Sequence, residues 1–347
     1  MRKFLLPFLL LVAAGFGLLR AQAPSASSIL RMDPGLDAIV PAGAKLEKLA
    51  GGMTLLEGPV WVRSGASGYL IFSDIPANVI HKWTPGGKVT VYLNPSGYTG
   101  PDPDHAGFYF DSGEGKFHLF GSNGITLDHQ GRVVFCAIGD RDVARVEPDG
   151  KRTVLADRYE GKPLNGPNDL VYKSDGALYF TDPAGGPRGK DDDPKKDAGV
   201  QSVYLLKGGK LRLIVKNFAL PNGLAFSPDE KLMYIDDSIK KTITRFDVAP
   251  DDTLSNGRLF ADMTAETAPG VPDGMKIDTK GNVYSTGPGG VFIYSPDGKY
   301  LGKISVPEVA ANLAWGNSDG KTLFITARTS LYRIRLSVPG IMVKVSK

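Results

Sequence analysis

A five-residue signature that keeps returning constrains this chain more than any other feature. It reads "EGPVW" at 57–61, "NGITL" at 123–127, "NDLVY" at 168–172, "NGLAF" at 222–226, "DGMKI" at 273–277 and "ANLAW" at 311–315. After most copies comes a polar turn, as in "KSDGA" and "NSDGK", and then an apolar run such as "YLIFSD", "LYFTDP" or "LMYIDD". A third strand-like run follows ("VIHKW", "SVYLL", "ITRFD"), and several units add a fourth after a Gly turn ("GGKVTVYL", "GGKLRLIV"). Four short runs of β-branched and aromatic residues joined by tight turns make an antiparallel sheet. Six copies, spaced roughly 40–65 residues apart, fit radial sheet repeats. The expected fold is therefore all-β, a six-bladed β-propeller with four-stranded antiparallel blades. An eight-stranded barrel would use far fewer strands, and a sandwich would not restart on one signature. The segment from Ile29 to Leu56 is expected to lend a strand that closes the ring and removes an exposed edge.

In such a fold the first strand of each blade lines a central channel. The equivalent entrance positions are Glu57, Asn123, Asn168, Asn222, Asp273 and Ala311. Symmetry places them in one ring with two carboxylates, three amides and no Lys, Arg, His or Cys. Oxygen-only donors suit Ca2+ first and Mg2+ or Mn2+ next, while Zn2+, which prefers His or Cys, comes last. Asn and Asp also begin strands by bonding the local backbone, which accounts for any one of these residues. It does not account for oxygen donors at five of six equivalent positions, or for a Glu among them.

Outside the repeat, "MRKFLLPFLLLVAAGFGLLRAQA" has a basic start, an apolar run and a small-x-small end. That is a secretory signal pattern, too short for a stable membrane span. The division expected is residues 1–23 as signal, 24–44 as linker and strand, and 45–340 as a single propeller, exported to the periplasm or beyond. A lone Cys136 excludes an intrachain disulfide and a Cys-based zinc site. The net charge of +4 and the mixed-sign run "KDDDPKK" (190–196) give no nucleic-acid footprint; the run reads as a solvated loop. No nucleophile elbow, HExxH or P-loop is present. "GPGG" (287–290) lacks a following helix and reads as a turn. His81 and His129 fall in a third strand and a turn. His105, Tyr109 and Phe110 lie in an insertion, 97–120, of the kind that covers a binding face, and are expected to line a substrate pocket. Asp74, Asp182 and Asp237, at the ends of second strands, are expected to cap loops. Asp169 is expected to orient a ligand amide or a water.

"LEGPVW", "LNGPNDLVYKSDGALYFTDP", "LPNGLAFSPDEKLMYIDDS" and "VPDGMKID" together resemble the regucalcin/gluconolactonase family of six-bladed propellers, over about residues 45–337. The resemblance implies one divalent cation held by Glu57, Asn168, Asn222 and Asp273, with Asp273 also the catalytic acid/base. It implies hydrolysis of small-molecule lactones of the sugar type or related ones. Asn123, in the same ring, is expected to bind substrate or water. Two positions depart from the family pattern: Gly166 stands where related members carry a substrate-contacting Arg, and Ile138 where many bacterial lactonases carry a His. Both make the pocket less polar. The competing readings are a non-catalytic propeller that uses calcium for stability and binds a ligand or partner, and a related esterase or phosphotriesterase-type hydrolase.

Overall fold

A computed structural model describes residues 28–65, 67–111, 115–183 and 201–345. The signal pattern (1–23) and the "KDDDPKK" run lie outside the described residues. Six antiparallel blades follow one another along the chain, five of them four-stranded sheets and blade 5 a five-stranded one. Blade 1 comprises Leu56–Ser64, Ser67–Asp74, Val79–Trp83 and Val89–Leu93. Blades 2 to 5 begin with inner strands Ser122–Leu127, Leu170–Tyr172, Pro221–Phe226 and Met275–Ile277. Blade 6 begins with Ala310–Gly316.

Burial falls from the axis outward. The inner strands Ser122–Leu127 and Ala310–Gly316 are buried at every residue, whereas the outer strands Val89–Leu93 and Leu254–Asp262 are mostly half-buried or exposed. This gradient is why inner strands read as unbroken apolar runs and outer ones carry polar residues. The core is accordingly a circle of six inter-blade clusters. Ile71, Ile80, Ile125 and Phe135 join blades 1 and 2; Val134, Phe180 and Tyr204 join 2 and 3; Tyr179, Leu224 and Ile235 join 3 and 4. Tyr234, Met275 and Phe292 join 4 and 5, Tyr284, Trp315 and Tyr332 join 5 and 6, and Trp61, Phe72, Trp83 and Phe324 join 6 to 1. In the last of these Trp61 stacks on Phe324 with centroids 5.4 Å apart.

The N-terminal segment closes the ring as expected, and it does a second job. Glu47–Ala50 pairs with Ser330–Arg335 and becomes the outer strand of blade 6, with the Arg333–Glu47 ion pair at 2.8 Å. Ile29–Arg31 pairs instead with the outer strand of blade 5, Tyr300–Ser305, as a fifth strand. Between them a 3-10 turn, Pro34–Ala38, is capped by Asp33 accepting from the Gly35 amide at 2.8 Å. It seats Leu36, Ile39 and Val40 in the cluster between blades 5 and 6. The C-terminal residues cross the channel end opposite the ring. The Ile341 amide donates to the Ile277 carbonyl at 3.0 Å, and Met342 packs against the clusters flanking blade 6.

The loops at the ring end are tied by the aspartates that end the second strands. Asp74 accepts from the amides of Thr54 and Leu55 at 3.0 and 3.1 Å. Asp182 accepts from Asn165 and Gly166 at 2.9 and 2.8 Å, and Asp237 from Ala219, Leu220, Ile239 and Lys240 at 2.7 to 3.2 Å. The expected capping role is what the structure shows. The 97–120 insertion folds as a 3-10 turn, Pro103–His105, and a hairpin of Phe108–Asp111 with Lys116–Leu119. "GPGG" is the hairpin turn between Val283–Gly287 and Gly290–Tyr294.

Candidate functional site

The six entrance residues line one cavity of about 1060 Å3 at the channel mouth: Glu57, Asn123, Asn168, Asn222, Asp273 and Ala311. Inter-blade hydrogen bonds hold them at one height. The Ser73, Thr181 and Thr286 hydroxyls, each on a second strand, donate to the carbonyls of Asn123, Asn222 and Ala311 in the next blade at 2.8, 2.8 and 3.1 Å.

A second layer lies directly beneath. One residue after each ring position the chain reads Gly58, Gly124, Asp169, Gly223, Gly274 and Asn312. The glycines are there because neighbours crowd the axis. Gly58 has φ +51, and a Cβ on it would lie 2.1 Å from the Asn123 carbonyl oxygen. A Cβ on Gly274 would lie 2.1 Å from the Asn312 side chain. In the space so cleared, the Asn312 Nδ2 donates to Glu57 Oε2 at 2.9 Å and to Asp169 Oδ2 at 3.2 Å. The Gly58 amide also donates to Glu57 Oε2, at 2.7 Å.

Glu57 Oε2 is thus doubly bonded, while buried Glu57 Oε1 has no hydrogen-bond partner among the described residues. Asn222 shows the same split. Its Nδ2 donates to Ser238 Oγ at 3.1 Å, and that hydroxyl donates onward to the Pro272 carbonyl at 2.7 Å. The amide is therefore fixed with Oδ1 left over, and Asn222 Oδ1 and Asn123 Oδ1 are likewise buried without a partner. Buried acceptors are normally satisfied, so three unpaired oxygens lining one cavity call for a donor or a cation.

The charges agree. Burial, and then the Asp169 carboxylate, push Glu57 up to about 7. Burial, and then Glu57 and Asp169, raise Asp273 well above the usual carboxylate range. Asp236, fully buried on the second strand of blade 4, is raised by burial and then by Asp273. Beneath the ring the Lys276 ammonium donates to the Met275 carbonyl at 2.9 Å and to Asn312 Oδ1 at 3.4 Å. Among the described residues no three His, Cys, Asp or Glu side chains gather as a metal-binding group. The ring instead offers two carboxylates with amide oxygens, a donor set that fits a hard divalent cation.

Of the other expected residues, Asn123, Tyr109 and Phe110 line the cavity. His105 does not: its ring Nδ1 lies 2.7 Å from Asp102 Oδ2 in the 3-10 turn, half-exposed. Asp169 lies beneath the ring, bonded to the Leu170 amide at 2.8 Å and to Asn312. Ile138 is buried against Ile75 and Leu119, and a side chain at Gly166 would meet Ile138 and Phe108 at 3.7 Å. Sequence reasoning missed Asn312. Its signal was an Asn standing where four of the six units have Gly.

A profile described as the SMP-30/Gluconolactonase/LRE-like region matches residues 55–329. The chain belongs to this family. It is 36% identical over 322 residues to the gluconolactonase of Zymomonas mobilis, covering 90% of this chain and 87% of that protein. Among solved structures, a gluconolactonase from Xanthomonas campestris superposes with a TM-score of 0.73 at 31% identity, covering 90% of this chain and 96% of that one. A calcium-binding regucalcin from Agrobacterium tumefaciens shares the fold, with a TM-score of 0.66 at 19% identity, covering 86% and 96%. Among the described residues no helix is long and apolar enough to cross a membrane.

Proposed function

We propose that the chain is an exported lactonase that works with a divalent cation, calcium by preference. One observation carries the reading: Glu57, Asn123 and Asn222 oxygens that have no partner among the described residues converge on a cavity that the Asp273 carboxyl also lines. The lactonase activity named for the Zymomonas mobilis and Xanthomonas campestris relatives supports it. Glu57, Asn168, Asn222 and Asp273 would hold the cation. Bound there, it would polarise the lactone carbonyl and offset the negative charge that the carbonyl oxygen develops.

The chain's own groups do the rest. Asp273 takes a proton from the attacking water and returns it to the ring oxygen as the ester bond breaks. Asn222 and Glu57 flank Asp273 and set its side-chain environment. Asn312, gripping Glu57 and Asp169, keeps Glu57 Oε1 aimed at the cavity. Asn123 presents its side-chain Oδ1 to substrate or water. The hydrocarbon around the mouth restricts bulk water, which strengthens each polar contact within.

The test is lactone hydrolysis followed by proton release, with and without chelator. Asp273→Asn is expected to lower kcat about 10²- to 10⁴-fold with an unchanged circular-dichroism spectrum. Absence of turnover of every lactone tried, with calcium, magnesium, manganese and zinc each supplied, would sink the activity. Export rests on the basic-then-apolar start of residues 1–23 and is checked by N-terminal sequencing of protein recovered from outside the cytoplasm.

A further inference from the structure

The cavity has a polar floor and a hydrocarbon wall. Above the ring it is bounded by Leu55 and Ile75 from blade 1, Phe108 and Leu119 from the insertion hairpin, Leu220 ahead of blade 4 and Val309 ahead of blade 6. The polar side chains that line it outside the ring are Tyr109, Asp111, Lys116, Gln201 and Arg328, and of these Asp111, Gln201 and Arg328 have partners of their own. Tyr109 stacks on His118 at 4.5 Å, and the Arg328 guanidinium lies 5.1 Å from the Phe117 ring centroid. Asp111 and Lys116 are cross-strand partners toward the exposed tip of the hairpin. Phe108 also covers the space above Gly166, where a side chain would touch it at 3.7 Å. The wall therefore comes from four separate parts of the chain, and among the described residues it presents no convergent set of hydrogen-bonding groups.

We infer that the preferred substrate is a lactone whose non-reacting part is hydrocarbon, alkyl or aryl, and not a polyhydroxylated sugar lactone. The inference rests on the lactonase reading only for where the carbonyl sits, at the ring. A sugar lactone anchored there would turn its hydroxyls toward Leu55, Ile75, Phe108 and Val309. Each hydroxyl would lose its water without gaining a partner. An alkyl or aryl substituent would remove its own surface and the wall's from water together. The volume, about 1060 Å3, is at the upper end of the range for drug-sized ligands and leaves room for such a substituent beyond the ring that is opened.

The experiment compares δ-lactones bearing side chains from methyl to hexyl with glucono-δ-lactone on the full-length protein with its cation. The expected result is a kcat/KM that rises up to about fourfold per methylene and exceeds that for gluconolactone at least about tenfold with the longest chains. Val309→Thr, which keeps the shape but adds a hydroxyl, should flatten the rise, as should Phe108→Ala. A flat series with gluconolactone preferred overturns the inference. A second arm measures binding of the corresponding lactams, which do not hydrolyse. Tighter binding of the alkyl lactam supports the inference and tighter binding of the polyol lactam overturns it, whether or not turnover is seen. Absence of turnover for every lactone counts against the lactonase reading alone, since the lactam arm still decides this one.

Discussion

Glu308 and Glu57 flank the seam where blade 6 meets blade 1, and the fold treats them oppositely. Glu308 accepts from the Thr329 amide at 2.9 Å and from the Thr329 and Tyr332 hydroxyls, both at 2.7 Å. Burial works to raise it, but hydrogen bonds from Ser330, Tyr332 and Thr329 outweigh that and hold it at about 2. Glu57 has donors on one oxygen and none on the other, and burial drives it up to about 7. Asp74, Asp182 and Asp237 belong with Glu308, each engaged at both oxygens by backbone amides. The carboxylates that hold loops in place are satisfied inside the chain. Those of the ring are left for something from outside it.

The widest gap between the two classes should appear at Asp237. Asp237→Ala strands several amides in one loop and should cost about 3 kcal/mol in urea unfolding, with kcat/KM of the folded fraction within about twofold of wild type. A cost below about 1 kcal/mol would mean that the capping carboxylates are dispensable. Next comes the cation. Wild-type protein stripped by chelator and then given calcium about a hundredfold above its dissociation constant should gain about 2.7 kcal/mol. Glu57→Gln should lose most of that gain, and Glu308→Gln should keep it. Equal calcium titrations for wild type and Glu57→Gln would remove Glu57 from the ligand set.

Glu308 sharpens the comparison through pH. Its carboxyl is held below its ordinary value near 4.5, so its contribution is fully present above that pH and lost as pH falls toward about 2. Glu308→Gln should remove this part of the acid limb, with a loss of about 1 kcal/mol at neutral pH once solvent screening is allowed for. An unchanged acid limb would refute it. The smallest effect is expected at His105, which is not among the described residues that line the cavity. His105→Ala should change stability by less than about 0.5 kcal/mol and leave kcat/KM unchanged, and a tenfold loss of kcat/KM would return it to the site.

The propeller and its ring were readable because both are periodic. Six recurrences of one strand signature define the blades, and one position of that signature defines Glu57, Asn123, Asn168, Asn222, Asp273 and Ala311. What escaped was what breaks the period. Asn312 stands in a column where four blades have Gly, and its value lies in a three-way contact with Glu57 and Asp169, between blades 1, 3 and 6, that sequence spacing does not encode. His105 was placed by its loop, and a loop's position does not say which side chains turn inward. Phe108, two positions before Phe110, reaches the wall above Gly166, and only packing decided that. The pairing of Ile29–Arg31 with blade 5 carried no signal either, because a three-residue edge strand has no pattern of its own.

The closing strand also sets an order in time. Glu47 pairs with Arg333, so this strand waits for a partner that lies 286 residues further along the chain. Blades 1 to 5 can each form from local hairpins as they emerge, but the circle joins only when the sixth is complete, and contacts spanning nearly the whole chain are slow to find. Asn312, which grips Glu57, belongs to that sixth blade. A chain interrupted before it keeps most of its sheets and lacks both the seam and the hold on Glu57. Ring closure and the hold on Glu57 therefore depend on the same blade.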